Sequence, residues 1–311
     1  MKFIEWQERY LNIYLKPRIK YHTYMIYYEL YKNHINDYLG DKEIEEITIS
    51  DLNYYLFNLT EKENGRGGKL SGSTINLILT LLKSTFKEAY ESEIIPKNPA
   101  TKLKKVAVQE KNVQALTVKE QKKLIDYCLC HIDDTRYLGI ILTLATGLRI
   151  GELLGLLWTN IDLRNKVINV DTTLIRLKNE NGWYYERTKP KSITSKRMIP
   201  IPKFLYDILS FNKKNQVSKY VISYNKCFIK VRSYQDFYRS LLKKVGIKYV
   251  SFHALRHTFA TRCVELGIDI KTVSELLGHK NATITLNRYS HSLYSTKRKA
   301  INKLAKATII R

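Results

Sequence analysis

Apolar and polar positions alternate with the period of an α-helix along the first hundred residues. Phe3, Trp6, Tyr10, Leu11 and Tyr14 mark the first segment, which should end at Pro17 because proline lacks a backbone donor. The same period recurs in three further segments: His22 to Leu39, Ser50 (as the capping residue) to Leu59, and Ser73 or Thr74 to about Glu91, before Pro96 and Pro99. The pattern predicts a small four-helix domain over residues 1–103.

A glycine-rich, basic stretch, ENGRGGKLSGS at residues 63–73, separates the last two of these helices. It lacks the Gly-Lys-Ser/Thr ending of a loop that cradles phosphate, which argues against a nucleotide site. The favoured interpretation is a flexible hairpin. The alternative is a contact of Arg66 and Lys69 with a DNA backbone, since glycine lets the chain follow a groove.

The helical period stops after residue 103. Residues 104–115 have no sustained period and carry Lys104 and Lys105, which predicts a basic interdomain linker that contacts DNA. Thr117 and Glu120 have the spacing of a capping box, so we expect a second domain to begin there. Its predicted helices are Thr117–Leu129, Thr135–Ala145, Arg149–Leu157, Lys203–Asn212 and Ser233–Val245, followed by short helices from His253 onward.

A strand-rich insert interrupts the second domain. Alternating β-branched residues predict strands at Lys166–Leu177, Trp183–Thr188 and Arg197–Ile201. Turn-forming residues at 179–182 and a basic run at 189–196 separate them. We expect these strands to form one small antiparallel sheet.

Charge is distributed unevenly along the chain. The formal net charge of +24 arises almost entirely after residue 110. Residues 1–110 hold 16 basic and 15 acidic side chains, whereas residues 111–311 hold 37 and 14. A charge excess that served only solubility would be spread evenly. The asymmetry instead indicates a polyanionic partner, with nucleic acid as the first candidate.

The four cysteines do not form a recognisable framework. Cys128, Cys130, Cys227 and Cys263 lack disulfide or zinc-ribbon spacing, so we expect reduced and mostly buried thiols. The N-terminus carries charges throughout, unlike a signal peptide, and no apolar run approaches the ~20 residues of a membrane span. These features predict a soluble cytoplasmic protein without membrane contact, and the expected nucleic-acid partner would associate it with the nucleoid.

Side chains that could take part in a reaction are concentrated near the C-terminus. His253 and Arg256 are spaced to share one helical face, and Gly267 and Gly278 are typical of helix stops. His279 follows directly, and a tyrosine, Tyr289, lies ten residues later. Two imidazoles, a guanidinium and a phenol suit metal-free phosphoryl transfer, in which the phenol attacks a phosphodiester and the cations stabilise the developing charge.

A zinc site is the competing interpretation of the same stretch. His253 and His257 are four residues apart, a spacing that zinc ligands often have. The segment lacks the glutamate base of a metalloprotease motif, and Arg256 would repel the ion. We therefore predict no metal and assign His257 a structural role.

Four sequence boxes occur in a fixed order in the second half of the chain: Thr146-Gly-Leu-Arg-Ile-Gly-Glu-Leu-Leu-Gly-Leu, His253-Ala-Leu-Arg-His, Leu277-Gly-His and Arg288-Tyr-Ser-His. This set resembles the boxes of the tyrosine recombinase (phage integrase) family. The resemblance implies a mainly α fold: a four-helix, SAM-like core-binding domain at 1–103, a linker at 104–115, and at 116–294 a helical catalytic domain with a small antiparallel β-sheet insert, the DNA breaking-rejoining enzyme fold. It also implies that residues 295–311 form a tail helix on a neighbouring protomer.

The resemblance assigns a role to each residue of the boxes. Arg149 and Arg256 would clamp one phosphate, with Glu152 orienting a guanidinium. Tyr289 would be the nucleophile. His253 and His279 would donate to phosphate oxygens or carry the proton of Tyr289.

The basic run of the insert resembles the family's lysine hairpin. Lys189 would be the general acid that protonates the leaving 5′-oxygen, and Lys191 is the rival for that role. Lys191, Lys196 and Arg197 would otherwise contact phosphate without taking part in the chemistry.

The implied function is site-specific DNA recombination through a 3′-phosphotyrosyl intermediate, which integrates or excises a mobile element. No cofactor is needed, because the covalent link conserves the phosphodiester energy without ATP or a metal. The expected partners are double-stranded DNA, three further copies in a homo-tetramer, and an excision or host DNA-bending factor. The family's extra arm-site module is expected to be missing or trimmed. The alternatives are an Xer-type resolvase of replicon dimers and a non-catalytic DNA-binding regulator.

Overall fold

The computed structural model describes residues 1–64, 67–108, 114–179, 182–188 and 196–279, together with 281, 283, 286, 301–302 and 304–305. The chain divides into two compact units, residues 1–111 and 112–311. Each is built mainly from helices, as the sequence predicts. No helix in the described ranges is both long enough and apolar enough to cross a membrane.

The first unit is a helical bundle. In two places an α-helix continues into a π-helical turn rather than ending. The elements in chain order are α1 (Phe3–Arg9) with a π-helical segment (Tyr10–Leu15), α2 (Tyr21–Leu30) with a second one (Tyr31–Ile35), α3 (Asn36–Leu39), α4 (Ile49–Glu61) and α5 (Gly72–Glu91). Trp6 joins the first and last of these helices, because its indole N–H donates to the carbonyl of Thr85 inside the core at 3.2 Å.

Two helix starts in this unit differ from the prediction. Thr48, not Ser50, caps α4: its hydroxyl accepts from the backbone N–H of Asp51 at 3.2 Å, and the Asp51 carboxylate accepts from the Thr48 N–H at 2.9 Å. Ser71 caps α5 by accepting from the Thr74 N–H at 3.1 Å. In both places an earlier hydroxyl reaches the third residue of the helix, so the cap moves toward the N-terminus.

The glycine-rich stretch of the first unit forms a short hairpin of β1 (Glu63–Asn64) and β2 (Gly68–Lys69). Lys69 is exposed and its ammonium group forms an ion pair with Glu61 at 2.6 Å. Arg66 lies outside the described residues. After the hairpin, α5 ends at Glu91, before the two prolines, in a turn that gives Glu93 a positive φ of 58°.

The first helix of the second unit begins at the predicted capping box, where Thr117 and Glu120 bond each other's backbone N–H groups. Its helices are α6 (Val118–Leu129), α7 (Thr135–Thr146), α8 (Ile150–Leu154), α9 (Lys203–Lys214), α10 (Val231–Val245), α11 (His253–Glu265) and α12 (Ile270–Leu277). The prediction that α8 extends to Leu157 is wrong. Gly155 ends it, and the strand that contains Leu174 packs so closely that a Cβ on Gly155 would lie 2.8 Å from the Leu174 backbone nitrogen.

The strands of the second unit form more than one sheet, which corrects the single sheet that the pattern predicts. The predicted strand Lys166–Leu177 breaks after Val170. The strands are β3 (Ile161–Asp162), β4 (Val167–Val170), β5 (Thr173–Asn179), β6 (Gly182–Thr188) and β7 (Arg197–Pro200). β4 lies between β3 and β7 in a three-stranded antiparallel sheet, and β5 pairs with β6 in a separate hairpin.

A further two-stranded hairpin, β8 (Ser223–Tyr224) with β9 (Cys227–Phe228), was not predicted. Asn225 and Lys226 connect its strands with positive φ values of 49° and 62°, the backbone of a tight hairpin turn.

The cysteines also differ from expectation. Cys128 and Cys263 are buried, but Cys130 and Cys227 are exposed, so only half of the thiols belong to the core.

Candidate active site

The turn between α7 and α8 positions Arg149. Gly147 ends α7 with a left-handed φ of 66°, a conformation that glycine adopts without strain. A Cβ at this position would lie 2.6 Å from the Phe259 ring and 2.8 Å from the Leu277 side chain. The turn therefore packs directly against α11 and α12, and Arg149 follows it immediately at the start of α8.

Glu152 fixes the direction of the Arg149 side chain. Its carboxylate accepts from the backbone N–H of Arg149 at 2.9 Å and from the Nη1 group at 2.8 Å. The Arg149 side chain keeps 37% of its surface exposed, whereas Glu152 is buried. Glu152 thus holds the Arg149 guanidinium, and its orienting role in the reaction stays a prediction.

Arg256 is held inside the unit and bridges two backbone segments. Its side chain lies on α11, and the residue is 2% exposed. Nη1 donates to the carbonyl of Gly147 at 2.7 Å, and Nη2 donates to the carbonyl of Leu277 at 2.6 Å. One guanidinium thus ties the Arg149 turn to the last turn of α12.

The histidines occupy different environments. His253 is exposed at the first position of α11, and its ring meets that of the buried His257 edge-on, with centroids 4.8 Å apart. His279 follows Gly278, which ends α12 as predicted, and its backbone N–H donates to Ser274 at 3.0 Å. Within the described ranges, no three His, Cys, Asp or Glu side chains are grouped to hold a metal ion.

Three arginines meet at one helix end, which we call the α12 carboxyl end (Leu276, Leu277 and Gly278). Arg197 Nε donates to the Leu276 carbonyl at 2.6 Å. Arg256 donates to the Leu277 carbonyl, and Arg149 Nη2 donates to the Gly278 carbonyl at 3.3 Å. Cations are stabilised there because a helix carries partial negative charge at its C-terminus. The arrangement gathers Arg149, Arg256 and His279 from separate boxes into one place.

Arg197, predicted as a DNA contact, is held by partners inside the protein, and its contact with DNA stays a prediction. Its side chain is 5% exposed and forms an ion pair with Glu152 at 2.8 Å. The alternation of inward and outward positions along the strand could have revealed this burial. Ile199 is buried, so Arg197, two residues earlier on β7, shares its inward face.

The other predicted DNA contacts are either exposed or not described. Lys104, Lys105 and Lys196 are exposed, as is Lys69, and their contact with DNA stays a prediction. Lys189, Lys191 and Tyr289 lie outside the described residues, as do most of the residues of the predicted tail helix, 295–311.

The Glu152 carboxylate predicts a pH-dependent contribution to stability. Burial alone would raise its pKa, but the hydrogen bonds and charge of Arg197, and the charge of Arg149, lower the pKa from 4.5 to about 2. This depressed pKa corresponds to a contribution of about 3 kcal/mol to the free energy of unfolding. The contribution is fully present above pH 4.5 and is lost as the pH falls toward 2. We expect Glu152→Gln to lower the free energy of unfolding by about that amount at pH 7, and by progressively less below pH 4.5.

Urea unfolding between pH 7 and pH 3.5 measures this difference. Asp236→Asn is the matched control, because Asp236 forms exposed ion pairs with Arg232 and Arg239 and should contribute little. A difference between wild type and Glu152→Gln that stays constant down to pH 3.5 would contradict the assigned ion-pair contribution.

Comparisons with known proteins identify the family of the chain. A family model described as the phage integrase family matches residues 114–296, and one described as the phage integrase SAM-like domain matches residues 2–106. A protein of Caldanaerobacter subterraneus subsp. tengcongensis, described as tyrosine recombinase XerC-like, is 31% identical over 302 residues, covering 88% of this chain and 76% of that protein. The transposase of transposon Tn916 from Enterococcus faecalis is 29% identical over 290 residues, covering 87% and 69%.

A solved structure is also similar over nearly the whole chain. The Tn1549 transposon integrase, in complex with transposon right-end DNA, matches with a TM-score of 0.80 and 26% identity, covering 98% of this chain and 100% of that one. The family and fold predicted from the four boxes are thereby confirmed. With both of its units matched by family models and its arginines gathered at one helix end, this chain belongs to the phage integrase family and is a tyrosine recombinase.

Proposed function

We propose that this chain cleaves and rejoins DNA at a specific site through a covalent 3′-phosphotyrosyl link, and that the reaction integrates or excises a mobile element. The observation that carries the proposal is the convergence of Arg149, Arg256 and His279 at the α12 carboxyl end. The similarity to transposon enzymes supports the mobile-element role.

In the proposed mechanism the two arginines bind the non-bridging oxygens of the scissile phosphate. A guanidinium has five N–H donors in a rigid fork, so it can bond a backbone carbonyl and a phosphate oxygen together. Both arginines use part of this fork to hold carbonyls of the protein, which fixes the remaining donor directions before DNA binds. Preorganised donors of this kind stabilise the charge that develops on the phosphate.

The chemical step is a transesterification. The Tyr289 phenolic oxygen attacks phosphorus, a Tyr O–P bond forms, and the bond between phosphorus and the 5′-oxygen breaks. The phenolic proton leaves through His253 or His279, and Lys189, with Lys191 as rival, protonates the leaving 5′-oxygen. Attack by a 5′-hydroxyl reverses these steps and frees the tyrosine. The number of phosphodiester-type bonds is conserved, so neither ATP nor a metal is required.

The partners follow from the reaction. Exchange between two duplexes cuts four strands, and one nucleophile per chain therefore calls for a homo-tetramer on two crossover sites. We assign the tail, residues 295–311, to contacts between neighbouring protomers. The exposed Lys69, Lys104, Lys105 and Lys196, together with Arg66 and Lys191, would contact the DNA backbone. An excision or host DNA-bending factor would join the complex, which would act on DNA of the cytoplasmic nucleoid.

A second candidate function is resolution of chromosome or plasmid dimers, favoured by the similarity to the XerC-like protein. The substrate separates the two candidates. An integrase should join attachment sites of an element and its target, whereas a resolvase should convert a plasmid dimer carrying its own site into monomers.

Trapping a covalent adduct tests the proposed chemistry. We expect the protein to form a covalent complex with a nicked suicide duplex that carries its attachment site, and to do so in EDTA, because the proposed step uses no metal. Denaturing electrophoresis of labelled DNA detects the adduct. Binding to this duplex without any adduct would instead favour the non-catalytic regulator.

A modified leaving group distinguishes the two lysines. A 5′-thiolate leaves without a proton, so a 5′-thio substrate should restore cleavage to Lys189→Ala if Lys189 is the general acid. The same substrate should not restore any rate lost by Lys191→Ala, whose predicted role is backbone contact. Rescue of Lys191→Ala alone would exchange the two roles.

A further inference from the structure

Arg197 is buried, although its neighbour in sequence is exposed. Lys196 lies at the surface, whereas the Arg197 side chain retains only 5% of its exposure at the start of β7. A guanidinium that is removed from water needs several hydrogen-bond partners to offset the loss of hydration. The identity of those partners therefore indicates what the residue does.

Two partners of Arg197 within the described residues come from two other elements. Its Nη1 and Nη2 groups donate to the two carboxylate oxygens of Glu152 at 3.1 and 2.8 Å, a bidentate pair. Its Nε group donates to the carbonyl of Leu276 at 2.6 Å. One side chain on β7 thus joins α8 to the α12 carboxyl end.

Glu152 and Arg149 complete a closed ring of contacts. The same two carboxylate oxygens accept from Arg149, through its Nη1 group at 2.8 Å and its backbone N–H at 2.9 Å. Arg149 Nη2 then reaches the carbonyl of Gly278 at 3.3 Å. Arg149 is therefore positioned from both sides, by a carboxylate that Arg197 holds and by a helix end that Arg197 also holds.

We propose that Arg197 is a positioning residue for DNA cleavage. It fixes the Glu152 carboxylate, which directs the Arg149 guanidinium, and it fixes the helix end from which His279 extends. Without Arg197, Glu152 has a single cationic partner of this ring and draws Arg149 away from the phosphate. The inference rests on the proposed function, because it assigns Arg197 a role in that reaction.

A positioning role and a DNA-contact role have different kinetic signatures. Loss of a backbone contact weakens DNA binding, and saturating DNA restores the rate. Loss of a positioning residue lowers the rate even at saturating DNA, because the bound phosphate no longer meets its donors in the productive geometry.

The experiment compares the single-turnover rate of adduct formation at saturating suicide duplex, the Kd for the same duplex, and urea unfolding. We expect Arg197→Met to lower the saturating rate by about 100-fold with little change in Kd. Arg197→Lys should be intermediate, because an ammonium group keeps the charge but cannot span both Glu152 oxygens and Leu276.

A double variant separates positioning from loss of stability. Glu152→Gln combined with Arg197→Met leaves no unpaired buried charge, so it should recover much of the stability lost by Arg197→Met while its rate stays low. The matched control is Arg136→Met, which breaks another ion pair of the same unit, at 2.6 Å from Asp134, and should retain the rate.

Three results would overturn the positioning role: a wild-type rate in Arg197→Met, a weaker Kd with an unchanged saturating rate, or recovery of the rate together with stability in the double variant. In each of these the wild-type protein still forms its adduct, so the proposed function survives. A wild-type protein that binds the duplex and forms no adduct would overturn the proposed function and this inference with it.

Discussion

Replacing Tyr289 with phenylalanine is expected to abolish covalent adduct formation while DNA binding persists. The substitution removes one oxygen atom, the proposed nucleophile, and no other group in the four boxes can supply a phenolic oxygen at that position. Removal of the attacking group of a covalent enzyme lowers the rate by roughly 10⁶-fold, so no adduct should be detectable. Electrophoresis of labelled suicide duplex measures the adduct, and a gel-shift titration measures binding.

Tyr294→Phe is the matched control for this prediction. It removes the same atom five residues later in the chain and should leave adduct formation intact. An adduct that persists in Tyr289→Phe and disappears in Tyr294→Phe would transfer the nucleophile to Tyr294.

Replacing Arg256 with lysine is expected to reduce both cleavage and stability. The guanidinium bonds the carbonyls of Gly147 and Leu277 at 2.7 and 2.6 Å, and one ammonium group cannot maintain this bridge and also bind phosphate. Loss of a preorganised donor to the transition state lowers the rate by roughly 10²- to 10³-fold. The loss of one charged hydrogen bond should lower the free energy of unfolding by about 2 kcal/mol.

Arg149→Lys provides the comparison that separates the two effects. Arg149 is proposed to bind the same phosphate, but its side chain is 37% exposed. Its replacement should slow adduct formation as much as Arg256→Lys does and cost less stability. Equal stability losses in the two variants would contradict the assignment of the structural bridge to Arg256 alone.

Order and spacing of the boxes were enough to predict the family and the residues that converge. Arg149, Arg256 and His279 each occupy a motif, and the predicted helix stops at Gly267 and Gly278 are local signals that a sequence reveals. Their convergence depends on bonds between side chains and distant carbonyls, for which no local signal exists.

The differences between the prediction and the structure arise from tertiary contacts, which the local sequence pattern does not reveal. The end of α8 is set by the close approach of β5 to Gly155, a tertiary contact. Arg197 was predicted only as a DNA contact because it lies in a basic run, and its ion pair was missed because the partner, Glu152, is 45 residues away in sequence. For a charged residue on a short strand, the alternation of inward and outward positions predicted burial better than the charge of the neighbouring residues did.

The α12 carboxyl end also determines where the segment that leads to Tyr289, the proposed nucleophile, begins. Tyr289 lies ten residues after His279, and a chain of that length spans at most about 35 Å when fully extended. The proposed nucleophile therefore lies within that reach of a helix end that Arg149, Arg197 and Arg256 contact. Loss of any one of these three contacts would shift that helix end together with the donors of the proposed phosphate clamp, so the phosphate and the proposed nucleophile would lose their alignment together.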